Sequence, residues 1–156
     1  MLLQGIAKDA IELIGADSAT LHVFRRKLSN SPHKKWQEWG DLILAAGAGK
    51  VTHDLIRSMK PRPDGRGNAA TRTRKPQWID DPELFEKEYP ELYQRGMRAL
   101  AVIPLSLGRE SDGLLGIHFW RPKRITARDL DLAQMFACGA LPKPGAALGH
   151  SPIFPV

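Results

Sequence analysis

The chain has 156 residues, enough for one domain with its own core, and 42% of them are hydrophobic, an ordinary share for a globular fold. A single cysteine excludes a disulfide framework and a cysteine-rich metal site, and no run approaches the ~20 apolar residues of a membrane span. The net charge is +6 and the sequence pI about 9.7, so placement of the basic residues decides what the excess means.

Leu3, Ile6, Ala10, Leu13 and Ile14 recur at helical spacing, with polar residues on the rest of the wheel, which predicts a first helix over residues 2–14 closed by Gly15. Residues 17–25 alternate as a strand, with Ala19, Leu21 and Val23 on one face and Thr20, His22 and Phe24 on the other. A loop over 29–35 and a second strand over 39–46 follow. The run Gly47-Ala48-Gly49-Lys50 fails as a phosphate-binding loop, because the first glycine of that motif would fall on Leu44 and Val51 replaces the magnesium-binding hydroxyl.

Residues 53–59 suit a short helix, broken by Pro61, Pro63 and Gly65, and residues 68–74 one or two helical turns. Gln77, Trp78 and Ile79 make a short strand. From Pro82 the apolar and aromatic residues Leu84, Phe85, Tyr89, Leu92 and Tyr93 mark a helical segment interrupted at Pro90. Residues 98–122 read as a hairpin. Its first strand is apolar on both faces, its turn spans 108–113, and its second strand sets Leu115, Ile117 and Phe119 opposite Leu114, Gly116, His118 and Trp120. Thr126 stands three residues before Asp129 as a capping box for a last helix that stops near Cys138. Residues 139–156, rich in proline and glycine, are expected to form an extended or disordered tail behind a domain at 1–138.

The basic clusters at 25–35 and 60–75 lack the interleaved aromatic residues of a single-strand platform at the second cluster, so nucleic acid is not the expected partner. No basic segment leading into an apolar core opens the chain, and a cytoplasmic protein without a membrane association is expected.

This order of elements, with AIELIGADSATLHVF, TRTRKPQWIDDP, RALAVIPLSL and DGLLGIHFW…ITARDLDLAQMFA, resembles a GAF domain, closest to the sensory modules of bacterial histidine kinases and related signalling phosphatases. The resemblance implies an α+β, PAS-related fold. A central antiparallel sheet of five to six strands would carry the terminal helices on one face and a ligand pocket on the other. It also implies a homodimer through the terminal helices and a histidine kinase or other signalling protein as partner. Because the terminal helices of the family continue into neighbouring domains, either a truncated module or a gene product that has lost its output half is expected here.

The family's sulfoxide reductases use several cysteines, and Cys138 alone cannot supply both a nucleophile and a resolving thiol. No cysteine in 1–137 is present to hold a bilin, and the NKFDE-type pattern of cyclic-nucleotide binders is absent. The expectation is therefore a non-catalytic module sensing an unidentified small molecule, with no cofactor assigned. The alternative is an interaction or dimerisation module whose pocket is filled. By similarity to phytochrome-type GAF domains, His22 and His118 match pocket-lining positions. Two imidazoles make an incomplete metal site, can hydrogen-bond a ligand, or can serve structure alone. Thr20, Trp78, Tyr89 and Tyr93 are the further candidate pocket walls.

Overall fold

The computed structural model describes residues 2–25, 42–50, 65–106 and 111–140. Its sheet contains β1 (Ser18–Arg25), β2 (Leu42–Gly49), β3 (Gln77–Ile79), β4 (Ala99–Ser106) and β5 (Ser111–Phe119) in the order β2-β1-β5-β4-β3, every neighbouring pair antiparallel. The helices are α1 (Leu2–Ile14), α2 (Arg66–Thr73), α3 (Pro82–Glu88), α4 (Pro90–Arg95) and α5 (Ala127–Ala140).

The two faces of the sheet have different work. On the outer face Ala19, Leu21, Ala101, Ile103, Leu115, Ile117 and Phe119 pack against Ile6, Ala10 and Ile14 of α1 and Ala133 and Ala137 of α5. This is the main core, and it follows from the period-2 strand pattern meeting the period-3.6 helical stripe. Gly15, at φ 80°, ends α1 in the left-handed region and turns the chain into β1.

The inner face carries two smaller apolar clusters. Ile79, Phe85, Leu92, Met97 and Leu100 join beneath α3 and α4, and Ala70 of α2 sits on Leu114 and Val102. The first hairpin strand is thus covered on both sides, as its double apolar face requires.

Several boundaries differ from the sequence expectation. β2 runs past its expected end at residue 46 through the small residues to Gly49, because Ala46 and Ala48 pack toward α1 and Gly47 pairs with Thr20, and the expected strand residues 39–41 lie outside the described residues. Ser111, Asp112 and Gly113 belong to β5 rather than to a turn, since β1 is long enough to pair with them at Arg25, Phe24 and Val23. The last helix continues past Cys138 to Ala140. Helix α2 starts at Arg66, ahead of the expected residue 68, and Pro90 splits the following segment into α3 and α4 as expected. The expected loop at 29–35, the helix at 53–59, the turn residues 108–110 and the tail beyond Ala140 lie outside the described residues.

Candidate functional site

Antiparallel register places directly opposite residues on one side of the sheet. Ser18, His118, Leu100 and Ile79 therefore form one inner-face row, and Gly47, Thr20, Gly116 and Val102 the next. His22, opposite Leu114, begins a third. Three polar residues of this strip are buried: Ser18 completely, Thr20 and His118 to 2% and 1% exposure. His22 is half-buried.

The strands on either side of Thr20 carry glycine in its row, and at Gly116 the reason is contact. A Cβ there would lie 2.6 Å from Thr20 Oγ1 and 3.0 Å from His118 Nε2. The imidazole thus folds back along its own strand, over the bare backbone of Gly116 and toward Thr20.

The other ring nitrogen is held by hydrogen bonding. His118 Nδ1 lies 2.9 Å from Ser18 Oγ, and the Trp120 indole N–H donates to the same oxygen at 2.9 Å. An indole nitrogen is a donor only, so Ser18 accepts there and keeps its own proton to give. A buried hydroxyl proton needs an acceptor, and among the described residues His118 Nδ1 is the one in reach. That arrangement leaves the imidazole proton on Nε2, beside Thr20. Burial, with the nearby His22 as a smaller contributor, lowers the His118 pKa from 6.5 to about 3. The ring is neutral at physiological pH.

Trp120 ties this strip to the end of the sheet. Its backbone N–H donates to Asp17 Oδ2 at 2.8 Å, and Arg121 Nη1 donates to the same oxygen at 2.7 Å. Arg121 Nη2 reaches the Gly15 carbonyl at 3.2 Å, and the Asp17 N–H donates to the His118 carbonyl at 2.9 Å. The Trp120 ring packs against the α3/α4 cluster.

The structure brings His22, His118 and Thr20 onto one strip and separates the aromatic candidates from it. Tyr89 and Tyr93 pack beside Leu100 in the α3/α4 cluster, Tyr89 against Phe85 at 5.5 Å between centroids. The Arg98 guanidinium lies 3.9 Å over the Tyr93 ring. These tyrosines border the histidine row through Leu100.

Trp78 does not join them. It stands opposite Ala101, whose side chain enters the main core, so Trp78 is on the outer face and 44% exposed. A three-residue edge strand takes its face from register with β4, which its own alternation cannot reveal.

Sequence reasoning missed Ser18, Gly47 and Trp120. Strand parity could have found Ser18 and Trp120, since Ser18 and Thr20 share a face with His22, and Trp120 with His118, while Gly47 is placed only by its pairing with Thr20. Among the described residues no group of three or more His, Cys, Asp or Glu is placed to hold a metal ion. Cys138 lies exposed on α5, whose helix packs on the outer face.

The GAF domain family profile matches residues 1–137. The chain is a GAF domain. Solved structures of the same fold include the second GAF domain of DevS from Mycobacterium smegmatis, 24% identical with a TM-score of 0.59 over 89% of this chain and 87% of that one. A domain of a two-component sensor histidine kinase protein from Sinorhizobium meliloti 1021 aligns at 14% identity and TM-score 0.58, over 87% and 83% of the two chains. The type II free methionine-R-sulfoxide reductase of Thermoplasma acidophilum aligns at 17% and 0.59, over 86% and 83%. A search of curated protein sequences returns no match. Likeness at these identities speaks for the GAF fold, which signalling proteins and an enzyme share. No helix among the described residues is long and apolar enough to cross a membrane.

Proposed function

We propose that this GAF domain is a non-catalytic sensing module of a signalling protein, seating a small polar molecule on the inner face beside Thr20, His22 and His118. The observation that carries the reading is the polar strip itself. A neutral imidazole and a threonine hydroxyl are buried on a face otherwise lined by Ile79, Leu100 and Leu114, with glycine on both sides of Thr20. Polar side chains stabilise a core less than apolar ones even when bonded, as His118 is to Ser18, so a strip of them is an unfavourable way to build a core. The lone cysteine, which sits across the sheet from the strip and has no second thiol in this chain, speaks against the two-thiol chemistry of a sulfoxide reductase. A histidine kinase or similar signalling protein in the cytoplasm is the partner this reading implies, by analogy with the Sinorhizobium neighbour.

The test is native mass spectrometry with an absorption spectrum on freshly purified protein, compared with His22→Ala and His118→Asn. The expected result is a bound small molecule in the wild type that is lost or weakened in both folded variants. Identical ligand content in all three proteins overturns the assignment to this strip.

A second reading, a homodimerisation module, is favoured by Leu13 and Met135, exposed at 52% and 69% on α1 and α5. Light scattering of the wild type and of Leu13→Glu with Met135→Glu tests it. A dimer that dissociates in the double variant is expected, and a monomeric wild type removes the reading.

A further inference from the structure

We propose that Arg66 is a further ligand contact on the inner face, where its Nε–H donates to an uncharged, amide-type carbonyl oxygen of the bound molecule. The inference rests on the sensing role proposed above and names the chemistry of its ligand. It starts from a donor without an acceptor. Arg66 Nη2 donates to Glu88 Oε2 at 3.0 Å, with the two side chains 22% and 30% exposed. Arg66 Nε is buried, and among the described residues no acceptor reaches it. The Nε–H and one Nη2–H lie parallel on one edge of the planar guanidinium, the edge that a bidentate carboxylate fills with both oxygens. Glu88 Oε2 takes one of the two places. The other is a buried N–H in want of an oxygen, and buried donors are rarely left that way.

Its place in the fold sets this donor among the neighbours of the polar strip. Ala70 of α2 packs on Leu114 and Val102; Leu114 is the register partner of His22, and Val102 shares its row with Gly116 and Thr20. Arg66 stands one turn before Ala70, on the same stripe of the helix. Glu88 ends α3, whose Phe85 packs with Leu100, the register partner of His118. The Arg66 side chain thus joins the two helices that rest on the rows of Thr20 and His118. Glu88 also decides the charge of the ligand. It balances the guanidinium, so an anion at Nε would meet a second negative charge in a part-buried site. The neutral His118 ring offers nothing to offset it. The carbonyl of an amide, urea or lactam brings an acceptor without charge, and the Thr20 hydroxyl and His118 Nε2–H are neutral groups suited to the rest of such a molecule.

The experiment follows the Arg66 Nε–H and His118 ring signals of the full 156-residue chain by NMR, during titration with N-methylacetamide and separately with acetate. N-methylacetamide is expected to move both signals and to bind about tenfold more tightly than acetate. In Glu88→Gln, which removes the competing charge, that preference is expected to reverse. Acetate binding as tightly as N-methylacetamide to the wild type overturns the uncharged class. An Arg66 Nε–H signal that neither probe moves overturns the contact itself. Arg66→Lys keeps a cation for Glu88 and deletes the Nε–H, and is expected to retain the co-purifying molecule about tenfold more weakly in native mass spectrometry. Full retention in Arg66→Lys with loss in His118→Asn refutes the Arg66 contact and leaves the strip as the site. Retention in both variants refutes the sensing reading as well. The wild-type titration decides the matter whether or not Arg66→Lys folds.

Discussion

At Gly116 one hydrogen stands where any other residue would have a side chain, and the geometry of the inner face depends on it. The 2.6 Å and 3.0 Å approaches of Thr20 Oγ1 and His118 Nε2 leave no room for a methyl group. Neither neighbour can yield easily, because Thr20 is β-branched and buried while Ser18 pins the imidazole. Gly116→Ala should therefore destabilise the domain by about 1–3 kcal/mol in urea unfolding, the usual cost of overpacking. It should also change the His118 ring environment. Wild-type stability in this variant would mean that the imidazole has another place to go. His118 itself was legible from strand alternation, as was the pairing of His22 with Thr20 on one face of β1, while bringing the two histidines to one face came from the resemblance to the family. Its partners were not, because Ser18 is a hundred residues away along the chain and only antiparallel pairing with β1 brings it opposite.

The terminal helices show how far local rules carry at the level of elements. Thr126 and Asp129 form the reciprocal box expected from their spacing. The Asp129 N–H donates to Thr126 Oγ1 at 3.1 Å and the Thr126 N–H to Asp129 Oδ2 at 2.9 Å, with Lys123 Nζ at 3.0 Å from the same oxygen. Burial raises the Asp129 pKa, but the Thr126 N–H and hydroxyl and the Lys123 ammonium outweigh it and hold the carboxyl below its ordinary value. Thr126→Ala removes one of the two cap bonds and should cost about 1 kcal/mol, read as a lower thermal midpoint with α5 retained. The short elements behave differently. β3 has three residues, and its exposed Trp78 and buried Ile79 are distributed by pairing with β4 rather than by any pattern of its own. β2 extends beyond its expected end at Ala46 through Gly47, Ala48 and Gly49, because α1 gives Ala46 and Ala48 something to pack on.

For the whole molecule, the buried neutral imidazole makes stability depend on pH. The native pKa of about 3 lies below the 6.5 of the unfolded chain, so between those values the unfolded state binds a proton that the native state refuses. The contribution is fully present above about pH 6.5 and is lost as pH falls toward 3, at about 1.4 kcal/mol per pH unit for one such group. Asp129 acts in the same direction further down: its stabilisation is present above about pH 3.9 and lost as pH falls through its lowered native value. Urea midpoints between pH 7 and 4.5 should fall in the wild type, and His118→Gln should flatten the dependence across that window. An equal slope in both proteins would assign the acid sensitivity to other groups.

Repeating patterns determined the broad outline by themselves. Helical spacing marks α1, alternation marks β1 and β5, the double apolar face of β4 marks a strand covered on both sides, and together they resemble the GAF order that the family match over residues 1–137 established. These are local properties, written in residues a few positions apart and set by the geometry of one helix or one strand. Tertiary structure alone decided the rest. The register of β1 against β5 joined Ser18 to His118 and Trp120, the pairing of β3 with β4 sent Trp78 to the outer face, and α1 drew β2 along its small residues. Each depends on contacts between distant segments, and in a sheet a shift of one residue reverses which face every side chain meets.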